Sequence, residues 1–210
     1  MEKTIRDFVD KLAKTKAPEN AVNMFSFDVA QNETRRNNLY LYLSQMAEKK
    51  PEVLLVGEAP GYQGMRWTGM PFGSEYHILR GIPEIGMFGE ERGYKKTDEW
   101  DKVWKEPSST IVWGTMKSIT NVPLIWASYP YHPHQSGKPL TNRAPSNIEL
   151  EIGRPFLADL IEIYKIKKVL AVGYKAVTTL GKMGIEAPYI RHPSHGGAKL
   201  FAEGIRFHLD

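Results

Sequence analysis

Apolar residues in this chain fall into short runs that alternate with longer segments of helical spacing. The clearest run is 53–56, which is rich in branched apolar residues and is stopped by Gly57. A short apolar run between turn residues is typical of a strand buried on both faces of a parallel sheet. The pattern predicts further strands at 122–129, 169–172 and 187–190, and an edge strand at 205–209.

Between the predicted strands, apolar positions recur every three or four residues, as they do on one face of an α-helix. Residues 1–50 predict N-terminal helices, and residues 174–180 predict another helix. Ser146 and Glu149 have the spacing of a capping box, which predicts the beginning of a helix there. The apolar face of that helix is expected to contain Ile148, Ile152, Phe156, Leu160 and Ile163.

Strands that alternate with helices predict an α/β fold, in which parallel strands form one sheet covered by helices on both faces. We therefore expect a three-layer αβα sandwich around roughly four parallel strands. The length favours one domain, which we assign to residues 1–210. Residues 74–107 are rich in glycine and charge, and predict an irregular insertion that acts as a lid or faces a partner.

Charge and composition narrow the possible classes of protein. The net charge of +4 and the pI of about 9.1 permit binding to nucleic acid without requiring it. The absence of cysteine excludes disulfides, thiolate metal sites, iron–sulfur clusters and cysteine nucleophiles. No run is long and apolar enough for a membrane span, and the N-terminus lacks the apolar core of a secretory signal. We expect a cytoplasmic protein.

Candidate catalytic groups follow two of the predicted strands, where ligands bind in open α/β sheets. Glu58 stands one residue beyond the first strand, in a loop rich in glycine and proline. His192 follows the last strand, in a loop constrained by Pro193. A neutral imidazole there either donates a hydrogen bond to a developing oxyanion or is a structural histidine. The ring of Phe72 either stacks on a base or fills the core.

The sequence predicts no metal site and no cofactor. His132 and His134 have the spacing of a metal-binding pair, but no other cluster of ligands accompanies them. The glycine-rich loop after the first strand contains neither the GxxxxGK[ST] pattern nor the GxGxxG pattern of nucleotide-binding loops.

Four short motifs, found in the expected order, resemble those of the uracil-DNA glycosylase superfamily. They are GEAPG at 57–61, GMPF at 69–72, NRAP at 142–145 with RPFL at 154–157, and HPS at 192–194. GEAPG is the form of the first motif in the family-four branch, whose members bind an iron–sulfur cluster. The resemblance extends from about residue 52 to residue 194. It implies a monofunctional enzyme that hydrolyses the N-glycosidic bond of a deaminated base, uracil first of all, in DNA.

The resemblance also implies roles for particular residues. His192 would stabilise negative charge on the departing base, while Glu58 would stabilise positive character on the sugar or orient the water. Phe72 would stack on the extruded base, beside the loop residues Gly57, Ala59, Pro60 and Gly61. DNA is the expected partner of a monomeric protein, with phosphates contacted by Arg66, Arg143, Arg191 and Ser194.

Several residues depart from the superfamily pattern. Gly153 stands where the iron–sulfur branch has a cysteine, so we expect no cluster. The superfamily usually ends its second strand with an asparagine that reads the pyrimidine edge, and the best register puts Ala127 there. Asn121 and His132 are the alternative base readers. Gly61 leaves open the wall beside the C5 position of the base, which permits a wider range of bases.

Two other functions fit the same pattern. Ala127 favours a non-catalytic module that binds DNA ends or lesions on the same fold. A protein that acts on a free nucleoside or nucleotide is the third reading, and the basic pI and the insertion argue against it. DNA affinity that falls steeply with salt separates these readings, because phosphate contacts release counterions.

Overall fold

A computed structural model describes residues 1–209 of the chain. The helices are α1 (Glu2–Lys14), α2 (Asn32–Lys49), α3 (Met65–Thr68), α4 (Glu75–Arg80), α5 (Pro107–Met116), α6 (Asn147–Tyr164), α7 (Tyr174–Gly181) and α8 (Ala198–Leu209). The strands are β1 (Ala21–Val22), β2 (Val53–Gly57), β3 (Leu124–Ala127), β4 (His132–Pro133), β5 (Lys168–Val172) and β6 (Tyr189–Ile190). Short 3-10 helices occupy Pro83–Ile85 and Glu90–Arg92.

The central sheet has four parallel strands in the order β3-β2-β5-β6. All four residues of β3 and the last four of β2 and β5 are buried. Because successive side chains of a strand point to opposite faces, burial of every position requires helices on both faces. The predicted α/β sandwich around four parallel strands is therefore confirmed.

A side chain from α2 covers the free edge of β3. The hydroxyl of Tyr42 accepts a hydrogen bond from the Ile125 N–H at 2.8 Å and donates one to the Ile125 carbonyl at 3.1 Å. An edge strand with unpaired backbone groups invites pairing with another chain. The Tyr42 hydroxyl therefore provides hydrogen-bond partners for both backbone groups of Ile125 at this edge. A separate two-stranded antiparallel sheet joins β1 to β4.

Helix α6 begins at the predicted capping box, but its buried face differs from the expected one. Ser146 and Glu149 make both reciprocal hydrogen bonds of the box. Ile148 is 72% exposed, and the buried residues are instead Glu149, Leu150, Gly153, Phe156, Leu157, Leu160 and Tyr164. The burial is displaced because α6 approaches β3 through Gly153, whose missing side chain leaves room for the Ser128 carbonyl.

The C-terminal segment forms a helix where the apolar pattern predicts an edge strand. Helix α8 covers Ala198–Leu209 and buries Phe201 and Ile205. These residues are four apart, so they lie on one helical face. The predicted strand at 205–209 is wrong, because a run that short does not distinguish a strand from the second half of an amphipathic helix.

Residues 74–107 combine α4, both 3-10 helices and several turns. Five apolar side chains of this segment are almost completely buried, namely Ile78, Ile82, Met87, Phe88 and Tyr94. Phe88 packs edge-to-face on Trp113 of α5 with 4.7 Å between ring centroids. The segment is a packed part of the core, and this packing argues against a freely moving lid. Its role as an insertion that faces a partner stays a prediction.

Candidate active site

A cavity of about 1280 Å³ opens at the carboxyl ends of the four parallel strands. Parallel pairing brings the residues that follow β2, β3, β5 and β6 to this one edge of the sheet. The predicted site residues that line the cavity are Gly57, Glu58, Ala59, Pro60, Gly61, Phe72, Ala127, Arg143, Arg191, His192 and Ser194.

Glu58 is half-buried directly after β2. Its carbonyl accepts a hydrogen bond from the Tyr129 N–H at 3.1 Å, which fixes the backbone beside the end of β3. Burial raises the pKa of the Glu58 carboxyl, and the positive charge of Lys175 opposes that shift. The site therefore contains a partly desolvated carboxylate with a cation nearby.

His192 is half-buried, and its hydrogen bonds define which ring nitrogen carries the proton. The Ser194 N–H lies 3.1 Å from Nδ1, and the Ser194 hydroxyl lies 2.7 Å from the same atom. Since a backbone N–H can only donate, Nδ1 accepts and the proton of the neutral ring is on Nε2. Burial, followed by the charges of Arg191 and His195, lowers the pKa of His192 to about 4. The side chain is thus a neutral N–H donor at physiological pH.

Phe72 lies between Gly57 and His192 on the wall of the cavity. Its ring centroid is 6.1 Å from that of His192. A Cβ atom on Gly57 would be 2.8 Å from Cε2 of Phe72, which is too close, so only glycine allows the ring to lie here. The indole N–H of Trp113 donates to the Phe72 carbonyl at 3.1 Å and fixes the backbone.

The last residue of β3, Ala127, lines the cavity without a polar side-chain atom. Ala127 is 5% exposed and pairs with Gly57 in the sheet register. Two amide residues do line the cavity, Gln63 and Asn142, and Oδ1 of the Asn142 amide accepts a hydrogen bond from the Tyr62 N–H at 2.9 Å. A Cβ atom on Gly61 would meet only this amide, at 3.8 and 3.9 Å. The wall at Gly61 is therefore open.

The structure places Asn121 away from the cavity. It precedes β3 and lines a separate cleft with Lys49, Glu84 and Lys117. Six residues of extended chain separate Asn121 from Ala127, which amounts to roughly 20 Å. Asn121 therefore lies at the amino end of the strand, and its prediction as a base reader does not fit this geometry.

His132 is also absent from the cavity lining. Its side chain is fully buried, with Nδ1 at 2.8 Å from the Pro60 carbonyl and Nε2 at 3.2 Å from the Pro139 carbonyl. Burial lowers the pKa of His132 to about 4, although both carbonyls act in the opposite direction. His132 holds the loop after β2 in place, which does not fit its prediction as a substrate contact.

The predicted phosphate contacts divide into two groups. Arg191 and Ser194 line the cavity. Arg143 lines it too, but its guanidinium makes two hydrogen bonds of 2.7 Å to Glu149 and others to backbone carbonyls. Arg66 does not line the cavity, and its guanidinium lies 4.3 Å from the centre of the Trp67 ring. These contacts favour a structural role for Arg143 and Arg66.

Sequence reasoning missed several polar residues that line the cavity, among them Asn142, Tyr174, Lys175 and Tyr189. Tyr174 and Lys175 directly follow Gly173, which ends β5. The rule that selected Glu58, that ligands bind just beyond strand ends, would have selected these two as well. Tyr189 belongs to a strand of two residues, which is too short for the apolar pattern to show its orientation.

The chain offers no fit for an iron–sulfur cluster. It contains no cysteine, and a Cβ atom at Gly153 would lie 1.8 Å from the Ser128 carbonyl oxygen. No group of three or more His, Asp or Glu side chains suited to a metal ion occurs within residues 1–209. None of the helices in that range is long and apolar enough to cross a membrane.

The fold and the cavity define an α/β protein with a cavity at the carboxyl edge of a parallel sheet. Residues 44–202 match the sequence pattern of the uracil DNA glycosylase superfamily, and this match covers well over half of the chain. The protein therefore belongs to this superfamily, as the four motifs predict. Its assignment to the family-four branch stays a prediction.

A solved structure supports the fold assignment. The crystal structure of wild-type SMUG2 from Pedobacter heparinus matches with a TM-score of 0.64, covering 99% of this chain and 95% of that chain. The two sequences are 14% identical, so the likeness concerns the fold.

Proposed function

We propose that this protein is a monofunctional DNA glycosylase that removes a deaminated base, uracil first of all, in base excision repair. Membership of the superfamily supports the class of reaction. The observation that carries the proposal is that Glu58, His192 and Phe72 line one cavity. A carboxylate, a neutral N–H donor and an aromatic face are the groups that glycosidic hydrolysis of a flipped base requires.

The first step is extrusion of the target nucleotide into the cavity. Flipping costs a few kcal/mol and is easiest for mispaired or single-stranded bases. The ring of Phe72 stacks on the extruded base and repays part of that cost. Arg191 and Ser194 are the phosphate contacts that this proposal retains, because both line the cavity.

His192 stabilises the departing base. As the C1′–N bond breaks, its electron pair moves onto the base and negative charge develops on a carbonyl oxygen. The Nε2–H of neutral His192 donates to that oxygen, and such a donor contributes about 3 kcal/mol to the transition state. The Ser194 N–H at Nδ1 maintains this tautomer.

Glu58 acts on the sugar side of the bond. Its carboxylate stabilises the positive character that develops on the sugar or orients the attacking water, which adds hydroxide to C1′ while its proton goes to the base. Lys175 favours the ionised form of Glu58 against the effect of burial on its pKa. Both actions need the negative charge of the Glu58 carboxylate, so Lys175 supports them by keeping that carboxylate ionised.

Base selection rests on Asn142 and Gly61 in this proposal, because the side chain of Ala127 has no polar atom. The Tyr62 N–H occupies Oδ1 of Asn142 and leaves its Nδ2 as a donor at the cavity. The open wall at Gly61 accommodates a substituent on the base. We therefore expect a wider range than uracil alone, with hypoxanthine, xanthine or mismatched thymine as further substrates.

The test is a cleavage assay on end-labelled oligonucleotides, with alkali to reveal abasic sites. They carry uracil in a single strand, opposite guanine or opposite adenine, and further strands carry hypoxanthine or xanthine. We expect abasic product with the native protein, and a fall of about a hundredfold or more for Glu58→Ala and for His192→Ala. Glu52→Ala and His208→Ala make the same substitutions outside the cavity and serve as matched controls.

One observation favours a second function. The methyl group of Ala127 stands where the superfamily usually has its base-reading amide, which suits a module that binds lesions without cleaving them. Salt-sensitive DNA binding with no product from any of these bases would establish that function and refute the glycosylase. A protein that binds free nucleosides would show neither property.

A further inference from the structure

Two tyrosines form a stacked pair on the rim of the cavity. The ring centroids of Tyr174 and Tyr189 are 4.7 Å apart, with 24° between the ring planes. Tyr174 is 75% exposed and Tyr189 is 41% exposed, so the pair contributes little to the core. The proposed reaction does not use either ring.

The sheet itself sets the position of this pair. Tyr189 is paired in register with Ala171 of β5. Tyr174 is the first residue of α7 and is separated from the end of β5 only by Gly173. The Gly173 N–H also donates to the Ile190 carbonyl at 3.0 Å. Both tyrosines are therefore attached to the strand ends that carry the cavity. Tyr189 covers one face of the Tyr174 ring, and the high exposure of Tyr174 leaves its other face open.

Positive charges accompany the rings on the same rim. Lys175 follows Tyr174 directly, and Arg191 lies two residues after Tyr189; both line the cavity. An open aromatic face beside cationic side chains is the combination that binds single-stranded nucleic acid, through base stacking and phosphate attraction. The charges favour a nucleic acid over an apolar peptide as the occupant.

We infer that the Tyr174–Tyr189 pair is a stacking platform for the nucleobase next to the excised nucleotide, and that it directs the enzyme to unpaired DNA. The inference rests on the proposed glycosylase function and adds a second base-binding subsite at the rim of the cavity. A base within a duplex already has neighbours on both faces, so it cannot lie on the open face of Tyr174. Only a single strand, or a locally unpaired one, offers such a base.

The test measures the binding of short single-stranded oligonucleotides by fluorescence anisotropy. Each carries a 2′-fluorinated deoxyuridine that resists cleavage, and matched strands replace the base on its 5′ or 3′ side with an abasic spacer. The native protein should bind about five- to a hundredfold more weakly when one of the two flanking bases is missing. Tyr174→Ala should lose a similar factor on the intact strand and then be insensitive to the spacer, whereas Tyr174→Phe should keep the native response.

Phe207→Ala is the matched control, because Phe207 is 84% exposed and does not line the cavity. A Tyr174→Ala protein that responds to the spacer as strongly as the native protein would overturn the platform while leaving the glycosylase intact. A native protein that neither binds nor cleaves any of the strands would overturn both. Thermal melting of each variant verifies that it is folded.

Discussion

Phe72 adopts a backbone conformation that non-glycine residues rarely occupy, with φ of +48°. Such a conformation costs on the order of 1–3 kcal/mol and persists only when the surroundings enforce it. Here the Trp113 indole holds the Phe72 carbonyl, and Gly57 leaves the space that the ring occupies. The strain is located at the residue proposed to stack on the base.

Gly57→Ala should therefore reduce activity more than stability. The new Cβ atom would meet the far end of the Phe72 ring at 2.8 Å, and a ring can turn away at small cost. A displaced ring misplaces the base, and misplacement by about 1 Å can cost a hundredfold in rate. We expect kcat/KM to fall by about tenfold to a hundredfold and Tm to change by only a few degrees.

The partner experiment repeats Gly57→Ala in a Phe72→Ala background. There the methyl group has no ring to displace, so the second change should add little to the first. Full additivity of the two effects in the cleavage assay would show that Gly57 acts independently of Phe72.

Glu58→Gln should separate stability from activity. Burial raises the pKa of Glu58, so the folded state holds this proton more tightly than the unfolded chain does. The contribution of Glu58 to stability is then full below its ordinary pKa of 4.5 and is lost as pH rises through the raised folded value. A neutral amide avoids that loss, so the variant should gain stability relative to the native protein as pH rises.

Urea unfolding at pH 5 and pH 8 compares the two proteins, and the difference in midpoint should be larger at pH 8. Lys175 opposes the effect of burial, which keeps the gain small. The same variant should lose about a hundredfold or more of activity, because its side chain carries no charge. A variant less stable than the native protein at pH 8 would show that Lys175 outweighs burial.

At the scale of elements, the buried strands and their ends were predictable from the sequence. β2 and β5 lie within one residue of the predicted runs, since strands buried on both faces are apolar throughout. Glu58 and His192 were predictable as cavity residues because parallel pairing brings strand ends together. The position of Tyr189 depends on a two-residue strand. The ion pair of Arg143 with Glu149 depends on how the loop before α6 lies against the first turn of that helix.

Helix α6 shows why packing faces are harder to predict than helices. Its capping box gave its beginning, yet Ile148 is exposed and Gly153 is buried. The close contact between Gly153 and the Ser128 carbonyl determines which face is inside. Ser128 in turn donates its N–H and its hydroxyl to the Gly57 carbonyl, both at 2.8 Å. The contact therefore extends from α6 through β3 to the cavity.

Gly153→Ala should strongly destabilise the protein. A Cβ atom there would lie 1.8 Å from a backbone oxygen, so α6 or the end of β3 must shift. We expect a loss of about 3 kcal/mol in the free energy of unfolding, the upper end of overpacking effects. Urea denaturation measures this loss, and the activity of the folded fraction reports whether the shift reaches Gly57.

Gly114→Ala is the matched control for that change. Gly114 lies within α5, and an added Cβ atom there meets no other atom within 4 Å. Alanine is the better helix former, so this variant should gain about 0.5–1 kcal/mol. A loss of similar size in both variants would mean that the contact with Ser128 is unimportant.

At the scale of the whole molecule, three histidines on separate elements are held neutral. Burial lowers the pKa values of His77 in α4, His132 in β4 and His192 after β6 to about 4 each. The ring of His77 makes two contacts of its own, with Nδ1 at 2.8 Å from the Ser74 hydroxyl and 2.9 Å from that of Ser109. When the protein unfolds at a pH below 6.5, the ordinary pKa of histidine, all three side chains therefore take up protons.

Stability should fall as pH drops from about 6.5 towards 4, and these histidines should have no effect above that window. Each contributes a slope of up to about 1.4 kcal/mol per pH unit, because the folded state excludes a proton that the unfolded chain binds. Glu58 and Glu75 reduce the slope, since burial raises their pKa values. Urea midpoints between pH 4.5 and 8 measure it, and His132→Gln and His192→Gln should each flatten it.

The dependence of kcat/KM on pH should show that catalysis uses His192 in its neutral form. With its pKa near 4, His192 remains an Nε2–H donor from pH 5 upward, so kcat/KM should show no step near pH 6.5. Loss of activity in acid should instead follow protonation of Glu58, whose pKa is raised by burial. His192→Gln keeps an amide donor, so its weaker residual activity should decline over the same acid range. A step at pH 6.5 that disappears in this variant would show that the imidazolium ion stabilises the departing base. The loss of stability in acid would then be unrelated to the protonation state that catalysis requires.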